Sequence, residues 1–143
     1  MNVRVKVGSA VLSAGIALFA TGCSSTPDTV DQALRESSSA VASGRLALEL
    51  YTRDSSTFAL ADTALGDALT ELDGAQSEVA EAEAAGASES TVRQRALDVI
   101  RSGVDAVSAA RDELSAGSAS GIADAVDALE SAEKQLDAAG GGK

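Results

Sequence analysis

Cys23 is the one thiol in a chain of 143 residues that contains no histidine. A lone cysteine cannot close an internal disulfide. Without histidine the usual zinc sites, haem ligands and nucleophile–base pairs cannot be assembled. The sequence carries no GxxxxGK[ST] phosphate loop and no GxGxxG after a strand. Chemistry would fall to carboxylates, serines, Tyr51 and arginines alone, so we read the chain as non-catalytic and expect no cofactor or metal. Asp62, Asp67, Glu71, Asp73, Glu78, Glu81 and Glu83 form the densest acidic stretch, with no Lys or Arg among them. Calcium prefers such oxygens, but these acids are scattered around a helix and form no DxDxDG loop. They read as a solvated face.

The surroundings of Cys23 give it a use. Arg4 and Lys6 lead into "VGSAVLSAGIALFA" (7–20), which is apolar or small throughout. A basic start and a short apolar run make a secretory signal. Fourteen residues fall short of the roughly 20 that a spanning helix needs. The run ends in Ala20, Thr21, Gly22 and Cys23, followed by Ser24 and Ser25. This resembles the lipobox of bacterial lipoprotein precursors, with Ala20 standing where leucine is commonest. The resemblance implies a diacylglyceryl thioether on Cys23 and cleavage after Gly22. It also implies display on the outer face of the bacterial plasma membrane, or on the outer membrane if the organism has one. Two or three acyl chains give stable anchoring where one would not. An ordinary export signal with a chance cysteine is the other reading.

At the far end, "GGGK" closes the sequence with Lys143. Together with "CSS" and the heptads below, this is similar at the ends to murein lipoprotein, in which a terminal lysine is joined to peptidoglycan. That family forms one uninterrupted helix, and this sequence breaks at three places. The body is similar in composition to alanine-rich helical envelope lipoproteins of unassigned activity.

Composition narrows the partners. The chain has 22 acids and 11 bases, a net charge of −11. Removal of residues 1–22 would leave 9 bases against 22 acids, a net charge of −13. Such a balance excludes nucleic acid, which is bound through Lys and Arg, and opposes adsorption to anionic lipid. The membrane partner is then reached through the lipid on Cys23, and a further partner would be an unidentified envelope protein. Beyond residue 22 only 23 of 121 residues are Leu, Val, Ile or Phe, so the core must be thin, while the many alanines favour helix.

The elements follow from periodicity. A signal-peptide helix covers the apolar start. Residues 1–22 are the signal, 23–29 a lipidated tether, 30–139 a bundle domain and 140–143 a flexible tail. The spacing predicts helices over about 28–52, 56–84, 90–115 and 119–139. In the first, Leu34, Val41 and Leu48 recur at seven. Phe58, Leu65, Leu72 and Val79 do so in the second, with Ala61, Ala68, Ala75 and Ala82 on the alternate seam. The third carries Leu97, Ile100, Val104, Val107 and Leu114, and the fourth Ile122, Val126, Leu129, Ala132 and Leu136. Short connections imply antiparallel neighbours. The expected fold is all-α, an up-down bundle of four amphipathic helices, with a three-helix bundle as the alternative. Arginines in the first and third helices should choose neighbours for the acidic second one. The function implied is structural or protein-binding. The alternatives are a small-ligand carrier with a roomy apolar cavity, or a membrane-to-peptidoglycan tether through Lys143.

Overall fold

The computed structural model describes residues 26–141, and Ala20, Thr21, Gly22, Cys23 and Lys143 lie outside them. Four helices fill the described chain: α1 (Thr26–Thr52), α2 (Phe58–Glu81), α3 (Ala87–Ala116) and α4 (Ala119–Gly140). No strand occurs among the described residues. Each helix packs against its neighbour in sequence, and α4 returns to α1 to close the ring. Cross-helix contacts fix the antiparallel sense. Ser38 and Arg45 of α1 meet Asp137 and Glu133 of α4, in reversed order along the two chains. Asp62 of α2 and Ala82 at its C-cap meet Arg111 and Arg93 of α3, again reversed. The fold is an up-down four-helix bundle. Thr26, the 82–86 connection and Gly140 share one end, here called lower; the 53–57 and 117–118 connections share the upper end.

The helix ends differ from expectation in ways that trace to capping. Helix α1 begins at Thr26 with Pro27 behind it, where proline's missing N–H costs nothing. Residues 26–29, expected in the tether, are therefore its first turn, and Gly140, expected in the tail, is the last residue of α4. The cap of α2 is Thr57, the last residue of the connection, whose hydroxyl accepts from the Leu60 N–H. Asp54 ends α1 in a left-handed conformation, φ 55°. Gly86 precedes α3 without a side-chain cap, and Glu89 reaches back to the Ala85 N–H at 2.8 Å. At Gly117, φ 68° turns the chain out of α3, and Ser118 caps α4 through the Gly121 N–H.

The heptads of α1 and α2 face inward: Leu34, Val41, Leu48, Leu65, Leu72 and Val79 are all buried. Phe58 is a correction. It is in phase with that seam but sits on the first helical residue, at the rim of the upper end, and is half exposed. Ala82 likewise falls at the C-cap of α2 and is only partly buried. In α3 and α4 the seam is carried by smaller residues than expected. Ala96, Gly103, Ala110 and Ala125 are buried, while Leu97, Val104 and Val126 flank the core half buried.

Glycine sets how close the helices come. A β-carbon on Gly44 would lie 3.2 Å from Leu65 Cδ2, so α1 and α2 meet there side chain to backbone. One on Gly103 would have Leu72, Leu136 and Val41 at 3.5–3.6 Å, one residue from each of the other helices. Here α1 and α3 touch across the diagonal, whereas α2 and α4 do not. Gly74 has nothing within 4 Å. We therefore expect Gly74→Ala to stabilise the bundle by about 0.5–1 kcal/mol through helix propensity alone. Gly44→Ala should lose that gain to the Leu65 contact, and Leu72→Ala should cost about 2–5 kcal/mol. Urea denaturation followed by circular dichroism ranks the three; a Gly44→Ala protein as stable as Gly74→Ala would refute the close-approach account.

Candidate functional site

The described residues nearest to Cys23 in sequence are those of the lower end. The Thr26 hydroxyl donates to the Glu83 carbonyl, and Arg93 donates to the Ala82 carbonyl at 2.8 Å. The start of α1, the α2–α3 connection and the start of α3 are thus linked. Gly140 lies at the same level, where a β-carbon would come 3.3 Å from Leu34 Cβ. The chain enters and leaves the bundle at one end, as an even number of antiparallel helices requires. Acids dominate this end: Asp28 and Asp31 on α1, Glu81 and Glu83 after α2, and Glu89 on α3.

Along the helices the bases are spent on seams. Arg111 clasps Asp62 with two hydrogen bonds, 2.7 and 3.2 Å, joining α3 to α2. Arg45 bridges Glu49 on its own helix and Glu133 of α4, the latter at 3.0 Å, and Arg53 adds a second contact to Glu49. Ser38 donates to Asp137 at 2.5 Å on the same α1–α4 seam. The expectation that arginines select helix neighbours holds for Arg111 with the acidic helix, while Arg45 selects α4. These contacts shift the groups involved. The Arg111 hydrogen bond holds the Asp62 carboxyl below its ordinary value, and Asp62 raises Arg111 in return. Lys134, 2.5 Å from Glu130, lowers that carboxyl. The hydrogen bond to Glu133, then that to Glu49, raises Arg45 against its partial burial.

What the arrangement could hold is limited. Among the described residues no three His, Cys, Asp or Glu are grouped to take a metal ion. No buried side-chain nitrogen or oxygen among them lacks a hydrogen-bond partner, so no interior polar atom waits for a ligand. A groove of about 440 Å³ runs between α1 and α2, floored by Ala40, Ala64 and Ala68 and edged by Glu36, Asp67 and Glu71. A cleft of about 550 Å³ opens at the upper end, with Ile122, Val126 and Tyr51 beside Glu49, Asp54 and Asp127. Both open to solvent.

The upper end also carries side chains to which the sequence reading gave no role. Leu46 and Leu60 are 53% and 58% exposed and Phe58 is 46% exposed; Val92, near the lower end, is the fourth such residue among those described. The signal was present in the sequence. Leu46 is out of phase with Leu34, Val41 and Leu48, and Leu60 with both seams of α2, so each must point away from the core. The α1–α2 groove pairs Ser43 with Ala64 and Glu36 with Glu71. Continued one turn upward, that register brings Leu46 and Leu60 to the same level.

No helix among the described residues is long and apolar enough to cross a membrane. No protein-family model, curated protein or solved structure matches the chain.

The Asp62–Arg111 pair makes a signed prediction. Because the folded state lowers the Asp62 value, the pair stabilises the bundle above the ordinary aspartate range, and that contribution fades as pH falls below about 4. At pH 7 an Asp62→Asn protein should melt slightly below the parent, the two curves should converge at acid pH, and high salt should narrow the gap. A gap that persists unchanged at pH 2 would show that asparagine disturbs packing instead.

Proposed function

We propose that the chain is a lipid-anchored protein of a bacterial envelope whose helical bundle binds a protein partner and performs no reaction. The anchoring part is supported by the order of residues before α1: basic start, short apolar run, Ala20-Thr21-Gly22-Cys23 and two serines. It is compatible with a bundle that closes its core from residues 30–136 alone. On this reading residues 1–22 are removed and Cys23 carries the lipid.

The observation that carries the binding part is the exposure of Leu46, Phe58 and Leu60 toward one end of the bundle, where most of the other large apolar side chains are buried or packed half buried against the core. Exposed large apolar side chains gathered toward one end of a small domain favour a contact surface there. The surrounding acids, Asp54, Asp67 and Asp127 among them, fit a partner whose apolar spot is ringed by Lys or Arg. A second copy of the chain would bring the same acids and is disfavoured. The small-ligand carrier has less support, since the clefts are open grooves and the interior is filled by alanine seams.

Mass spectrometry of the terminal peptides of protein extracted from its native envelope tests the anchor. A diacylglyceryl mass on Cys23 with residues 1–22 absent is expected; an unmodified cysteine or another cleavage point would overturn it. For the binding surface, a photocrosslinking residue replaces Leu60 in one strain and Asp73 in another. We expect a discrete adduct from position 60 alone, lost on adding Leu46→Asp and weakened by salt. Equal adducts from both positions would refute a site at the upper end.

A further inference from the structure

On the reading that this bundle binds a protein, the groove between α1 and α2 sets the form of the partner. Ser39, Ala40 and Ser43 make its α1 bank and Ala64 and Ala68 its α2 bank, enclosing about 440 Å³. Leu46 follows Ser43 by three residues and Leu60 precedes Ala64 by four, so these exposed leucines stand one turn above the groove's head. From Glu36 to Leu46 the groove runs about 15 Å at 1.5 Å per residue. A row of small side chains, open to solvent, leads down from two large apolar ones.

Charge sets this groove apart from its neighbours. The α2–α3 and α1–α4 seams are each bridged by an arginine, Arg111 to Asp62 and Arg45 to Glu133. The lining of the α1–α2 groove holds Glu36, Asp67 and Glu71 and no base. Among the described residues Asp67 and Glu71 have no ion pair, and Glu36 accepts from the Gln32 amide at 2.8 Å. Glu36 and Glu71 stand on opposite banks at one level, where like charges repel unless a cation lies between them. The nearest arginines are turned elsewhere. Arg35 shares the row of Ser38 and Arg45 on the α4 side of α1, and Arg53 is held by Glu49.

The banks also select the partner's backbone. Both are helices, so their N–H and C=O groups are already paired, and the Ser43 hydroxyl is spent on the Ser39 carbonyl at 2.9 Å. An extended segment laid here would find no backbone partner for its own polar groups. A helix brings its own hydrogen bonds, and the small residues on both banks let its ridge sink between them. We propose that the partner lays a basic amphipathic α-helix of about three turns into the α1–α2 groove, as a fifth helix on the bundle. Its apolar stripe rests on Ala40, Ala64 and Ala68 and ends between Leu46 and Leu60. Lys or Arg residues on its flanks meet Glu36, Asp67 and Glu71. Asp67 and Glu71 are one turn apart, so two partner bases spaced by three or four residues reach both.

Photocrosslinking residues at positions 60 and 39, each in the full chain in its native cells, test this. Position 39 is level with Ala68 in the groove register, about 12 Å below Leu60. We expect adducts to one and the same protein from both positions. Mass spectrometry should place the two attachment sites about eight residues apart in the partner, the helical spacing for that distance, in a segment carrying Lys or Arg. Asp67→Lys with Glu71→Lys should weaken both adducts roughly five-fold or more, while Asp105→Lys with Asp112→Lys on α3 should change them less than about two-fold; all four positions are exposed. An adduct from position 60 without one from position 39 would overturn the groove helix and leave a binding site at the upper end standing. Attachment sites only about four residues apart would mean an extended segment and refute the helix. Adducts of the chain with itself would make the occupant a second copy and refute the basic partner. Equal losses from the two double substitutions would show that net charge, and not the groove, draws the partner. Silence at both positions would sink the binding reading and the helix together.

Discussion

Close helix approach at Gly44 and Gly103 is the constraint on which the bundle depends. With so few large apolar side chains, each leucine must be covered on several sides to be worth burying. Leu65 packs onto the backbone of α1 at Gly44, and Leu72, Leu136 and Val41 converge on Gly103. Because no side chain occupies the middle of that contact, α1 and α3 also meet across the diagonal, and the ring of four helices is drawn into a lozenge. The alanines extend the same principle. Ala61, Ala68 and Ala75 on α2 and Ala96 and Ala110 on α3 are buried, and each contributes little apolar area itself but lets a neighbouring leucine be sealed from water. A core of this kind is thin yet fully enclosed.

Close packing brings the charges of neighbouring helices together, and the acid excess makes that costly unless the few bases are well placed. The second helix has no internal base, so its acids are relieved only from outside. Arg111 supplies this at the α2–α3 seam, and Arg45 does the same between α1 and α4 while holding Glu49. Such exposed contacts each contribute little to stability. Their larger effect is on register: the Arg111–Asp62 and Arg93–Ala82 contacts lie near opposite ends of the α2–α3 pair, so a slip of one turn would break both. Charge that remains unpaired faces water and keeps like surfaces apart.

How much of this was legible depends on residue size. The heptads of α1 and α2 mark their seams because leucine, valine and phenylalanine stand out against alanine and serine. The seams of α3 and α4 were less visible, since buried Ala96, Gly103, Ala110 and Ala125 are indistinguishable by type from exposed alanines and glycines elsewhere. The same holds for glycine. Gly44 and Gly74 read alike in sequence and differ only in what lies opposite, Leu65 in one case and solvent in the other. Helix ends followed local chemistry, so Thr57 beat its neighbours by having its hydroxyl one turn from a free N–H. The apolar end of the bundle was written in the off-phase Leu46 and Leu60, a pattern legible once the core seam of each helix is known.

The parity of the helices then decides where the described chain enters and leaves the bundle. Four antiparallel helices return the chain to the end where it began, so Gly141 leaves the bundle beside Thr26. An odd number of helices would have placed the first and last described residues at opposite ends, about 40 Å apart. One end of the bundle thus gathers the first and last described residues, and three of the four exposed large apolar side chains lie toward the other.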